Sequence, residues 1–240
     1  YRGGTGGQGA AQAQCGEGTG GAAAAQSTAN GNGGGGGKGS TQPADIGTGG
    51  GGGHNLAGTD GEKFDNGTKG IGGSSAGTTD LTTMVFGGGG GGGGTATSYT
   101  NAEDGTNGGG IVFITGATIT ISGAVTCSGA SATGTGITGG AGAGGSILLK
   151  GQTVTLGTSL ITAIAGTTTG QHAGGVGSTG RIHLDYYTSY TGTTNPTLDY
   201  AQDNNLVTNT SYQLRLGVSS TGTNEEFLTI YDTCQSFLID

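Results

Sequence analysis

Proline, charge and large apolar side chains are all scarce in this chain. It has two prolines in 240 residues, 9% of it is charged, and its apolar share is 30%. That share is low for an ordinary globular enzyme. Glycine without a strict every-third-residue register, together with so little proline, excludes a collagen triple helix. Seven Lys+Arg and a net charge of −8 argue against nucleic acid, whose affinity rests on cationic contacts to phosphate. No apolar run approaches the roughly 20 residues of a membrane-spanning helix. Charge is also too sparse for a highly charged disordered chain, and Thr, Ile and Val recur in short runs that such chains lack. Cys15, Cys127 and Cys234 are an odd number at no metal-like spacing, so one disulfide plus a thiol and three free thiols fit equally well. The chain opens on Tyr1, so the lack of a visible signal segment carries no weight.

Glycine is what the chain has instead, 62 residues of it. Residues 1–180 hold 59 of them, whereas the last sixty residues hold three and carry eight of the thirteen aromatics. That shift places a boundary near residue 185. Eight consecutive glycines, Gly87 to Gly94, follow Met84-Val85-Phe86. Glycine loses more backbone entropy on folding than any other residue. Such a tract is therefore either a tether or a segment packed where no Cβ fits. Its position after the apolar run Leu81–Phe86, read as a strand, favours packing. The first 75 residues have few large apolar side chains beyond Ile46, Leu56, Phe64 and Ile71. They are either disordered or laid side by side as extended glycine-rich chains that hydrogen-bond directly.

A repeat emerges inside the glycine. "GGGIVFITGATITISGAVTCSG" from Gly108 aligns with "AGGSILLKGQTVTLGTSLITAIAG" from Ala143. Ile111 and Ile147 lie 36 residues apart, and Ile182 follows 35 later. Thr118-Ile119-Thr120-Ile121 and Thr153-Val154-Thr155-Leu156 alternate with period two, the mark of a strand with one buried face. The next strands match Val125 with Ile161 and Cys127 with Ala163. Short strands at a constant period with glycine corners are how a β-solenoid reads, since each unit needs its neighbour to bury its apolar face. "DLTTMVFGGGGG" from Asp80 reads as a less regular further copy.

The motif Gly144-Gly145-Ser146-Ile147-Leu148-Leu149, then Thr153-Val154-Thr155 and Ile161-Thr162-Ala163, closes with "GSTGRIHLDY" at 177–186 and "TGTTNP" at 191–196. This layout resembles Gly-rich β-solenoid or polyglycine-type extracellular surface proteins of bacteria and phages, over about residues 80–200. The resemblance implies a structural element of surface adhesins and phage fibres, and no particular catalytic residue.

Local motifs add little chemistry. Gly134–Gly139 matches the dinucleotide fingerprint, but no helical periodicity follows it. Gly73–Gly77 matches a nucleophile elbow without the strand that must precede one. Gly33–Ser40 resembles a phosphate loop, yet Gly39 stands where Ser or Thr belongs. His54, His172 and His183 offer no metal-ligand spacing, and His183, opposite in phase to Ile182 and Leu184, is expected to face solvent. Asp60, Glu62 and Asp65, and the pair Glu103-Asp104, read as solvated turns that could at most hold Ca²⁺ weakly. Asn66 and Asn209 open N-glycosylation sequons.

In the last sixty residues Tyr212–Val218, Glu226–Tyr231 and Ser236–Ile239 read as strands, too few to close a sandwich alone. Phe237, Leu238 and Ile239 are therefore the candidate assembly strand, by β-strand addition to another copy. The expected fold is all-β. It comprises a parallel β-helix or solenoid-like Gly-rich body with extended glycine segments and a few C-terminal antiparallel strands; the alternative is a β-sandwich or jelly roll with long Gly-rich loops. The expected organisation is a Gly-rich segment 1–79, repeats 80–188 and a C-terminal strand segment 189–240. Low Lys with abundant Thr, Ser, Asn and Gly points to an extracellular or virion-surface location. The expected function is a non-enzymatic, self-assembling filament subunit whose partners are copies of itself. The alternative is a phage tail-fibre or tip adhesin binding a surface glycan. No catalytic, cofactor or metal residue is expected.

Overall fold

The computed structural model describes residues 4–7, 19–22, 26–39, 45–94 and 101–206, together with two further strands at 212–214 and 228–230. The described residues are all-β, without a helix. In chain order the strands are β1 (Ile46–Gly47), β2 (Lys63–Phe64), β3 (Ile111–Thr120), β4 (Val125–Thr126), β5 (Ala132–Thr133) and β6 (Ser146–Thr162). They continue with β7 (Thr168–Thr169), β8 (Arg181–Asn195), β9 (Asp199–Gln202), β10 (Tyr212–Leu214) and β11 (Leu228–Ile230).

The main sheet runs β3-β6-β8-β9, with β4 also on β6, and every pairing in it is parallel. A sandwich or jelly roll would carry antiparallel sheets instead. Parallel neighbours need a long return connection. Here the return from β3 to β6 passes β4, β5 and a glycine-rich segment, and that from β6 to β8 passes β7 and another such segment, rather than a helix. Each repeat passes the same stations: Ala102, Ile137 and His172 bridge in parallel, as do β5 and β7. The antiparallel strand pairs are β1–β2 and β10–β11, where Tyr212 faces Ile230, and isolated antiparallel bridges join Asn30 to Gly33 and Lys38 to Thr68.

The register corrects one detail of the sequence alignment. Ile111 faces Ser146, and Val112 is the partner of Ile147, which in turn faces Ile182. Further along, Ile119 faces Val154 and Val125 faces Ile161, as the repeat requires. The two offsets differ by one residue, 35 and then 36, so aligning both halves of a repeat at one spacing misplaces the first. Ile147, Leu149, Val154, Leu156, Ile161, Ile182 and Leu184 form the core with Cys127 and Ala163. Full burial of each large aliphatic side chain contributes roughly 2 kcal/mol.

Leu81–Phe86 is not a strand. The Asp80 carboxylate accepts the Thr82 N–H at 3.1 Å and its hydroxyl at 2.9 Å, and Leu81 sits at φ 53°. The local Asp–Thr hydrogen bonds capture the backbone in a turn before any ladder can form.

Gly87–Gly94 is an ordered segment. Gly87, Gly90 and Gly93 donate to the carbonyls of Gly109, Thr106 and Glu103; Gly88, Gly91 and Gly94 donate to Gly53, Gly50 and Gly47; Gly89 and Gly92 donate to Thr19 and Ala22. In return Gly87 and Gly90 accept from Gly4 and Gly7, Gly88 and Gly91 from Ala143 and Gly140, and Gly89 and Gly92 from Gly34 and Gly37. The partner changes with period three, which is the three-residue turn of a polyproline-II-type helix. Six neighbouring segments thus surround the tract, three running parallel to it and three antiparallel. Of the two readings left open for the glycine-rich first part, disorder or side-by-side packing, these segments show the packing. A Cβ on Gly90 or Gly91 would lie under 3.0 Å from the backbone of Gly140 or Gly35. Glycine is required there by proximity alone.

Candidate functional site

The parallel register carries chemistry-bearing side chains to the β8–β9 end of the main sheet. His183 pairs in the ladder with Asp199, and Lys150 with Asp185. The imidazole is buried, with Nδ1 2.7 Å from Asp199 Oδ2 and Nε2 3.2 Å from Asp185 Oδ1. Lys150 Nζ then meets the other Asp185 oxygen at 2.7 Å. A ring facing a carboxylate at each nitrogen donates from both only when it carries both protons. The sequence placed His183 in solvent; β9 covers it instead. "DYAQ" is too short and too polar to announce itself as a strand. The available signal was an Asp following a turn after a histidine-bearing strand.

Above this row the core ends in three tyrosines. Tyr186, Tyr190 and Tyr200 have ring centroids 4.9–6.2 Å apart in tilted and edge-on contacts. Such geometry suits aromatic quadrupoles. Loss of hydration, the hydrogen bond to the Tyr200 hydroxyl and the neighbouring phenols push the Tyr190 hydroxyl above its ordinary range. Tyr200 remains 53% exposed.

A second polar group lies inside. His54 is fully buried, with Nε2 3.1 Å from the Val85 carbonyl and 3.0 Å from Ser146 Oγ, while Ser146 Oγ donates to that same carbonyl at 2.7 Å. Since Ser146 spends its proton on Val85, His54 Nε2–H is the donor in this group. Burial pushes its pKa down to about 4, outweighing the favourable contact with the Val85 carbonyl, and the nearby Arg181 charge adds to the fall. A histidine that donates to a serine does not take that serine's proton through the same nitrogen, so this pair pins three segments of chain rather than activating a nucleophile. Arg181 itself donates to the carbonyls of Ala76 and Asn55.

Comparison of the chain with protein families, with characterised proteins and with solved structures gives no match.

Of the residues singled out from sequence, Asn66 stands in an exposed turn after β2, with its N–H on Asp45 Oδ1 at 3.0 Å. Asn209, Phe237, Leu238 and Ile239 lie outside the described residues. Lys69 at 2.8 Å and the Gly72 N–H hold the Asp60 carboxyl below its usual range. Glu103 accepts the Thr135 N–H at 3.1 Å inside the Gly134–Gly139 loop, where a dinucleotide phosphate would need room. Among the described residues no group of three His, Cys, Asp or Glu side chains is arranged to hold a metal ion, and no helix is long and apolar enough to cross a membrane. Cys127 is a free, buried thiol whose pKa burial pushes up to about 11; Cys15 and Cys234 lie outside the described residues.

The sequence did not single out the outer edge of β3. Among the described residues β3 pairs only with β6, and "IVFITGATIT" presents no charge and no proline along that free side. Phe113 on it is 55% exposed.

Proposed function

We propose that this chain is a non-enzymatic, extracellular structural protein that self-assembles into a surface filament or fibre. The observation behind this reading is the parallel stack, whose first strand is long, uncharged and, among the described residues, unpaired on one side. Folded proteins guard such edges with charge, proline or bulges. An unguarded one favours strand addition, and a head-to-tail contact that does not close into a ring propagates. The repeating stations are read as rungs of a short β-solenoid, and the glycine-packed segments as its stiff flank, in keeping with the resemblance to surface proteins. The exposed Asn66 sequon suits decoration in that setting. Electron microscopy of the purified protein in negative stain should show fibres; compact particles alone, at high concentration, would sink the idea.

A second reading, a phage fibre or tip adhesin, is favoured by the half-exposed Tyr186–Tyr190–Tyr200 group, an aromatic surface with hydroxyls on which a sugar ring could stack. Labelled protein would then bind whole bacterial cells, with loss of binding in Tyr200→Ala.

A further inference from the structure

The geometry points to a specific joint for that assembly: β3 of one copy adds in parallel to β8 of a second copy, taking the place now held by β9. The inference rests on the self-assembly reading and names its contact.

Three observations carry it. First, β3 is paired to β6 at one constant offset, 35 residues from Ile111 to Thr120, so no bulge twists its free edge away. It therefore lacks charge, proline and bulge, the common protections of an edge strand. Second, the same offset relates β6 to β8 from Ser146 to Gly151, so that a β3 laid on β8 would repeat the ladder already present. Val112 would follow Ile147 and Ile182, and Ile114 would follow Leu149 and Leu184; Ile119 would follow Val154 and reach Tyr190 across the one-residue shift that β8 already makes between Tyr186 and Ser189. All strands of the sheet share one direction, so a copy displaced along the stack meets β8 with the required polarity. Third, β9 is a weak occupant of that slot. It covers only His183 to Tyr186 of the 15-residue β8, and all four of its residues are exposed. Among the described residues the side of β8 beyond Tyr186 carries no strand. The incoming β3 offers ten residues where β9 offers four.

Register makes the joint testable by charge sign. Thr115 faces Lys150, which faces Asp185, so an incoming Thr115 would stand opposite Asp185. Thr115 is exposed, and its own-copy neighbour Lys150 is the same before and after assembly, so a change in assembly reads the new contact. Thr115→Asp would set two carboxylates opposite each other, whereas Thr115→Lys would set an ammonium there; like charges directly opposite destabilise a pair and unlike charges favour it.

The experiment measures the critical concentration for assembly of the wild type and both variants by sedimentation, with circular dichroism to verify the fold. Thr115→Asp should raise it roughly fivefold or more, and Thr115→Lys should leave it near the wild-type value or below. Asp199→Ala, which frees β9 from His183, should lower it. Filaments that respond alike to Asp and Lys at position 115 would overturn this joint while leaving self-assembly intact. A wild type that never assembles would overturn both.

Discussion

At Gly90 the nearest obstacle to a side chain is the Gly140 backbone, whereas around Gly123 there is open space within 4 Å. Two glycine-to-alanine changes of equal size therefore have opposite signs. Gly90→Ala should cost about 3 kcal/mol or more, because backbone yields less readily than a side chain to overpacking. Gly123→Ala should be neutral or stabilise by up to about 1 kcal/mol through the unfolded chain. Denaturant midpoints of the two variants check both. His54 supplies a pH dependence. Its folded pKa, about 4, lies below the ordinary 6.5, so the unfolded chain binds this proton first. Its contribution is fully present above pH ~6.5 and is lost as pH falls towards 4, amounting in full to roughly 3 kcal/mol. Replacing it in His54→Gln should flatten the stability profile across that window, measured as urea midpoints at pH 7 and pH 4.5 relative to the wild type.

Between elements, stability should be graded across the main sheet. β6 has neighbours on both sides and the buried run Ser146–Leu149, whereas β9 has one neighbour and four exposed residues. Amide exchange in β9 should be at least about tenfold faster than in the centre of β6, with Asp199→Ala widening the gap. Comparable protection would mean that β9 is not a weak occupant. The same contrast explains which elements could be read beforehand. β3 and β6 announced themselves because Thr-Ile-Thr-Ile and Thr-Val-Thr-Leu alternate, and Val125 and Ile161 repeat in kind. β9 did not, for its hold on the sheet comes from four ladder positions, the His183–Asp199 contact, the packing of Tyr200 on Tyr186 and Tyr190 and the Gln202 bond to the Tyr187 carbonyl, all made with another strand. Leu81–Phe86 misled because apolar content was taken for a strand, while a local Asp80–Thr82 turn decides its path.

For the whole molecule, all-β character and the glycine packing were legible in composition and period, whereas the polar rows were not. His54 and Ser146 lie 92 residues apart, and no local pattern joins them. His183 and Asp185 share a face of β8 by their spacing, but Lys150 and Asp199 join them only once the ladder register is known. Reading the open β3 edge likewise required knowing that nothing else among the described residues pairs with it. An uncharged strand in sequence gives no sign of being terminal in a sheet.

The glycine tract has one more consequence, for changes in length. Because each successive glycine of 87–94 addresses a neighbour one third of a turn further round, the tract has a phase as well as a length. Insertion or deletion of three glycines would return every following residue to the neighbour it already faces. A change of one or two would rotate the remainder by about 120° and offer each donor to the wrong chain. The tract should therefore tolerate length variation only in triplets, like a screw thread that re-engages after a whole turn.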